Sequence, residues 1–180
     1  MSKRARLAFA AIVLFQLLFL AGLAAYNEVT LRTGQVVVLQ TVPVDPRDLF
    51  RGDYVVLRYE ISRLDKAAVS GVYSVSAPGQ TAYVLLEQQG EVWKPRAVAR
   101  DAAAQWDVFI KGTVTRIGDP RTPGAFLEVE YGIENYFLPE GRGRAIETAQ
   151  DIKAEVSINR FGDAVLKGLI VDGKPFTPKQ

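Results

Sequence analysis

The chain has 180 residues, 48% of them hydrophobic and 23% charged, which suits one folded domain and one further apolar element. It contains no Cys and no His. This excludes disulfides, thiolate and imidazole chemistry, a Ser-His-Asp triad and the common ligand sets for Zn, Cu and non-haem Fe. No cofactor and no metal is therefore expected. The absence of Cys is permitted in any compartment and does not decide redox location. Net charge is +2 with a pI of 8.9. Lys3, Arg4 and Arg6 supply three of the 22 basic residues, which leaves 19 basic against 20 acidic residues beyond the first 25. The basic pI thus belongs to the N-terminus, and no nucleic-acid partner is expected.

Leu7 to Ala25 carries no charge and one amide, Gln16. As a helix this run spans about 28 Å, enough to cross a hydrocarbon core. Basic residues precede it and none follows until Arg32, so the positive-inside rule puts residues 1–6 in the cytoplasm, residues 7–26 in the membrane and residues 27–180 outside. Tyr26 sits where an interfacial aromatic belongs. A cleaved signal peptide is the alternative, with Gly22-Leu23-Ala24 as a weak small-x-small site, although the run exceeds the usual apolar length of such peptides. A buried core helix is a third reading. Gln16 would hydrogen-bond to another transmembrane helix.

Gly34 opens the domain. Val36 to Pro43 reads as a strand ending at prolines. Asp45-Pro46-Arg47-Asp48-Leu49-Phe50-Arg51-Gly52-Asp53 is a charged turn that feeds a strand over Tyr54–Glu60. Ile61 to Val72 fits a short helix or an irregular loop. Ala82–Glu87 and Val92–Ala99 flank Gln88-Gln89-Gly90-Glu91, a hairpin signal. Trp106–Ile117 is a longer strand in which Gly112 suggests a bulge, and Ala125–Tyr131 alternates again. Tyr136-Phe137-Leu138-Pro139-Glu140-Gly141-Arg142-Gly143-Arg144 forms a second Gly/Pro turn, with a short helix from Ala145 to Gln150. Ala154–Arg160 and Ala164–Val171 flank Phe161-Gly162-Asp163 as a terminal hairpin, and Asp172–Phe176 closes the chain. Eight or nine short strands with little helix predict an all-β fold, a mainly antiparallel sandwich or partly open barrel, behind one N-terminal transmembrane helix.

Gly52-Asp53-Tyr54-Val55-Val56-Leu57-Arg58-Tyr59 spells G-D-Y-x-x-L-x-Y in full. The chain resembles the GDYXXLXY family of membrane-anchored bacterial proteins of unknown function. An N-terminal apolar helix, a Pro-Arg-Asp element before the motif and the later Tyr136–Gly141 turn agree with it. The resemblance covers most of the chain after the anchor. It implies the bacterial inner membrane, a periplasmic or otherwise extracytoplasmic domain, and a multi-span membrane protein as partner, because family members are often encoded beside such proteins. It implies no activity.

The residues singled out as motif or interaction positions are Asp48, Arg51, Gly52, Asp53, Tyr54, Leu57, Tyr59, Tyr136, Pro139, Glu140, Gly141 and Arg142. Each also has a plain structural role: glycines for turns, Asp53 for an Asx turn, tyrosines for packing. A Ca²⁺ site among Asp45, Asp48 and Asp53 is opposed by Arg47 and Arg51. The Gly-rich turn with Arg142 and Arg144 has the composition of an anion cradle, without the order of a P-loop. If the fold joins the two turns, Arg51 or Arg142 would pair with Glu140 or Asp53. Trp93 and Trp106 read as packing residues. Gly52-Asp53-Tyr54-Val55 also resembles the Gly-Asp-x-Val element of type I signal peptidases. That family's Ser-Met-x-Pro nucleophile segment is absent, since the one Met is Met1 and no Ser follows the anchor until Ser62. The expectation is therefore a non-enzymatic membrane accessory or interaction module. A small anchored hydrolase or ligand-binding protein using the two charged turns is the alternative.

Overall fold

A computed structural model describes residues 3–42, 54–65, 67–101, 107–119, 122, 124–137, 146 and 149–176, with the backbone alone at Tyr54 and Tyr73. The first element, α1, runs Lys3–Thr33 without a break. It contains the predicted apolar run but does not stop at Tyr26. The segment 27–33 holds no Gly or Pro, and Glu28 pairs with Arg32 one turn on, an orientation that supports a helix. Gly34 ends it.

Eleven strands follow among the described residues: β1 (Gln35–Gln40), β2 (Tyr54–Val56), β3 (Arg63–Asp65), β4 (Thr81–Gln89), β5 (Val92–Ala99), β6 (Phe109–Ile117), β7 (Phe126–Glu130), β8 (Asn135–Phe137), β9 (Ile152–Ile158), β10 (Ala164–Val171) and β11 (Lys174–Phe176). They form sheets of order β1-β9-β10-β11, β2-β8 and β3-β7-β6-β4-β5. Every ladder is antiparallel. The fold is thus all-β behind one long apolar helix. The two larger sheets have edges at β1 and β5, and these edges lie beside each other, so the sheets curl around a shared interior. Val37, Leu39, Val156 and Leu169 from one sheet meet Val84, Ile110 and Leu127 from the other in a single buried cluster. The alternation of these residues with exposed ones is the period-2 pattern of half-buried strands.

Two local expectations are revised and the closing segment gains a structure. The strand over Tyr54–Glu60 is interrupted: β2 ends at Val56, Tyr59 makes a single bridge to Thr41, and a 3-10 turn occupies Glu60–Ser62. The bulge in β6 falls between Val114 and Arg116 rather than at Gly112. Gly112 is instead a site of close approach, where an added Cβ would lie 2.7 Å from the Glu130 carbonyl. Asp172-Gly173 is a turn with both residues at positive φ (48° and 76°) that reverses the chain into β11, the two-residue hairpin geometry that Asp-Gly favours.

Candidate functional site

The motif strand and the second aromatic stretch are one ribbon. Tyr54 pairs with Phe137 and Val56 with Asn135. Beyond them, the Leu57 N–H donates to the Glu134 carbonyl at 2.7 Å. Further along, Arg63 pairs with Glu128 and Asp65 with Phe126. Nine residues forward from Tyr54 to Arg63 match nine residues back from Phe137 to Glu128. The register is therefore conserved across an interruption where the 3-10 turn faces the Tyr131–Glu134 loop.

Two tyrosines span that interruption. The Tyr59 hydroxyl donates to the Ile133 carbonyl and the Tyr131 hydroxyl to the Ile61 carbonyl, both at 2.6 Å. Both rings are buried. Burial pushes both hydroxyls up in pKa, and the nearby Glu134 carboxylate adds to this, so both remain proton donors. The same Glu134 carboxylate accepts the Tyr131 N–H at 2.7 Å. Polar groups that the interruption removes from the ladder are thereby satisfied, as buried backbone requires.

The structure thus assigns Leu57 and Tyr59 to the core, while Tyr136 is half-buried with its ring edge-on to Phe176 at 6.5 Å. Burial raises the Tyr136 hydroxyl pKa. The backbone of Tyr54 lies in β2. Asp48, Arg51, Gly52, Asp53, Pro139, Glu140, Gly141 and Arg142 lie outside the described residues, as do Asp45, Arg47, Arg144, Trp106 and the suggested pairing of Arg51 or Arg142 with Glu140 or Asp53. What the ladder does establish is that the chain enters the ribbon at Tyr54 and leaves it at Phe137, at the same end.

A second locus joins the helix to the sheet, and sequence reasoning missed it. The Ser157 hydroxyl donates to the Thr30 carbonyl at 2.7 Å, and the Gly34 N–H donates to the same oxygen at 2.9 Å. The Asn159 amide donates to the Thr30 hydroxyl at 3.2 Å and to the Tyr26 oxygen at 2.9 Å. Tyr26 in turn donates to Asp163, which is ion-paired with Lys111. Tyr26 and Thr30 lie four residues apart and share one face at the end of α1, and Gly34 follows directly after the helix. Burial alone would raise the Asp163 carboxyl, but the Lys111 and Tyr26 bonds hold it below its ordinary value. Lys111 is raised by the same pair, against the effect of burial. Beside this junction lies a cleft of about 680 Å³ lined by Tyr26, Val29, Thr33, Val108, Phe109 and Phe161 among others.

Residues 16–169 match the family model described as GDYXXLXY protein. The chain belongs to the GDYXXLXY family. The match takes in the distal part of α1, the motif strand, β9 and most of β10, so the helix–sheet junction falls inside the family's extent. Neither the curated proteins nor the solved structures gave a match.

Proposed function

We propose that this chain is a membrane-anchored, extracytoplasmic accessory module that acts with a multi-span integral membrane partner. The observation that carries this reading is α1. Its most apolar 18-residue window has a mean hydropathy of 2.5, and none of that window is buried against the domain. A helix apolar all round and unburied by its own chain is suited to lipid or to other helices. Gln16, the one amide in the run, suits a hydrogen bond to a neighbouring helix. At its other end, α1 is clamped to β9 and the β9–β10 turn through Thr30 and Tyr26. A partner contacted within the membrane would therefore be held in register with the β domain outside it. The basic residues Lys3, Arg4 and Arg6 favour a cytoplasmic N-terminus.

The test is copurification from native membranes in mild detergent. The tagged full-length chain is compared with Gln16→Leu, and topology is read in parallel by labelling Gln88→Cys with a membrane-impermeant maleimide. The expected result is a multi-span protein that copurifies with the natural chain and is depleted with Gln16→Leu, with Gln88→Cys labelled from outside. Absence of any copurifying membrane protein would remove the accessory role. Labelling only after lysis would reverse the topology.

A further inference from the structure

We infer that the tip of the β9–β10 turn, Arg160-Phe161, is a second membrane contact of this protein, seated in the lipid headgroup layer beside the anchor. The inference rests on the anchored reading above. Its geometric basis is the direction in which β9 meets α1. Ser157 bonds to Thr30, and two residues later Asn159 bonds to both Thr30 and Tyr26. The end of β9 therefore advances toward the N-terminal, apolar part of α1, each two-residue step (about 6.6 Å) covering roughly one helical turn (about 5.4 Å).

The turn beyond Asn159 is closed rather than splayed. The Asn159 side-chain oxygen accepts the N–H groups of Phe161 and Asp163, and the Asn159 N–H donates to the Asp163 carbonyl. The tip, Arg160-Phe161, therefore lies within two residues of the Asn159–Tyr26 contact, and it borders the cleft beside Tyr26 and Val29 of α1. Tyr26 is the residue immediately after the apolar run Leu7–Ala25, about 1.5 Å further along the axis. A group level with Tyr26 or nearer the apolar run lies at the membrane boundary.

The side chains at the tip fit that boundary. Phe161 is 53% exposed although it sits on an ordered turn. The Arg160 guanidinium carbon lies 4.7 Å from the centre of the Phe161 ring. An aromatic ring with a cation stacked on it presents an apolar body and a charged tip, the arrangement that partitions to the interface and contacts lipid phosphate. Lys111 and Asp163, just inside the turn, neutralise each other. Together with α1, the tip makes a two-point attachment that fixes the tilt of the β domain over the bilayer.

The chain has no Cys, so single-Cys variants of the full-length protein accept one nitroxide label each. Phe161→Cys, Leu18→Cys and Gln88→Cys are reconstituted in vesicles of phosphatidylethanolamine with phosphatidylglycerol. Accessibility to oxygen, which concentrates in the bilayer, is compared with that to a water-soluble nickel chelate. The expected order is Leu18 deepest, Phe161 at headgroup depth with several-fold higher oxygen-to-nickel accessibility than Gln88, and Gln88 aqueous. If Leu18 is deep and Phe161 matches Gln88, the second contact is overturned while the anchor stands, and the exposed ring is then available to a protein partner instead. If Leu18 itself is aqueous, the anchor reading fails and takes the second contact with it.

Discussion

Tyr59 and Tyr131 each donate a 2.6 Å hydrogen bond to the carbonyl two residues beyond the other, Ile133 and Ile61 respectively. This reciprocal exchange replaces ladder bonds in the middle of the motif ribbon, and both rings fill the core as they make it. Removing one hydroxyl strands a buried carbonyl. Tyr59→Phe and Tyr131→Phe are each expected to lower the unfolding free energy by about 1–2 kcal/mol. The bonds close the same gap, so the double variant should lose less than the sum of the singles by roughly 0.5 kcal/mol or more. Chemical denaturation of the full chain in micelles, followed by circular dichroism, reads these values. Single losses near zero would mean that water replaces the hydroxyls without penalty.

Gly34 is needed for space rather than for its torsions. A Cβ there would lie 2.5 Å from the Ser157 hydroxyl oxygen, 2.6 Å from the Thr30 carbonyl and 2.8 Å from the Ile158 carbonyl. Two of the three obstacles are backbone, which cannot swing away. Gly34→Ala should therefore destabilise by about 1–3 kcal/mol through forced separation of α1 from β9. Gly90, at φ +67° with nothing within 4 Å, supplies the contrast. Gly90→Ala meets torsional strain alone, about 1 kcal/mol, and should leave the helix junction intact. Thermal unfolding of the two variants side by side checks the order, and a milder Gly34→Ala would mean the junction yields easily.

The junction should also be acid-sensitive. The Asp163 carboxyl is held below its ordinary 3.8 because the Lys111 and Tyr26 bonds outweigh burial. A carboxyl whose pKa is lower folded than unfolded stabilises the fold above the unfolded value and loses that contribution as pH falls through the folded value. Stability should therefore decline on acidification below about 3.8, and Asp163→Asn should make that decline shallower. Asp151, lowered mainly by its bond from Gln40, acts with the same sign, so part of the slope should survive. An unchanged acid limb in Asp163→Asn would show that the Lys111 and Tyr26 bonds contribute little.

How much of this was legible beforehand depended on the range of the interaction. Strands such as β4 and β5 announce themselves by alternation around a Gly turn, and the anchor by an uncharged run, because both patterns are local. β11 carries only half of such a signal: Asp172-Gly173 is a two-residue hairpin turn after an apolar run, but Lys174-Pro175-Phe176 shows no strand alternation of its own. The conserved register between residues 54–65 and 126–137 was not legible. Its gap is closed by hydroxyl–carbonyl bonds between residues 70 and 74 apart in the sequence, and no short window encodes such a pair. Gly112 misled for the same reason: a bulge and a close approach look alike until the facing strand is known. The helix–sheet junction was hidden because Ser157 and Asn159 look like ordinary strand-end polar residues. Only α1, more than 125 residues earlier, gives them their partners.

Asn159 couples the turn to the helix, and its two ends can be separated. Its oxygen accepts from Phe161 and Asp163 and so shapes the turn; its nitrogen donates to Tyr26 and Thr30 and so holds α1. Asn159→Asp keeps the acceptor and loses the donor, while setting a carboxylate near Asp163. Asn159→Ala loses both. Both variants should free the angle between α1 and the β domain, but only the alanine should also loosen the turn, with the larger fall in stability, about 1 kcal/mol beyond that of the aspartate. Nitroxides at Leu23→Cys and Gln88→Cys, measured by pulsed dipolar spectroscopy in the full chain, would report the angle as the width of the distance distribution. The natural Asn159 should give a narrow distribution and both variants a broad one. A distribution equally narrow in all three would mean that Ser157 and Gly34 suffice to hold the helix, and that the amide serves the turn alone.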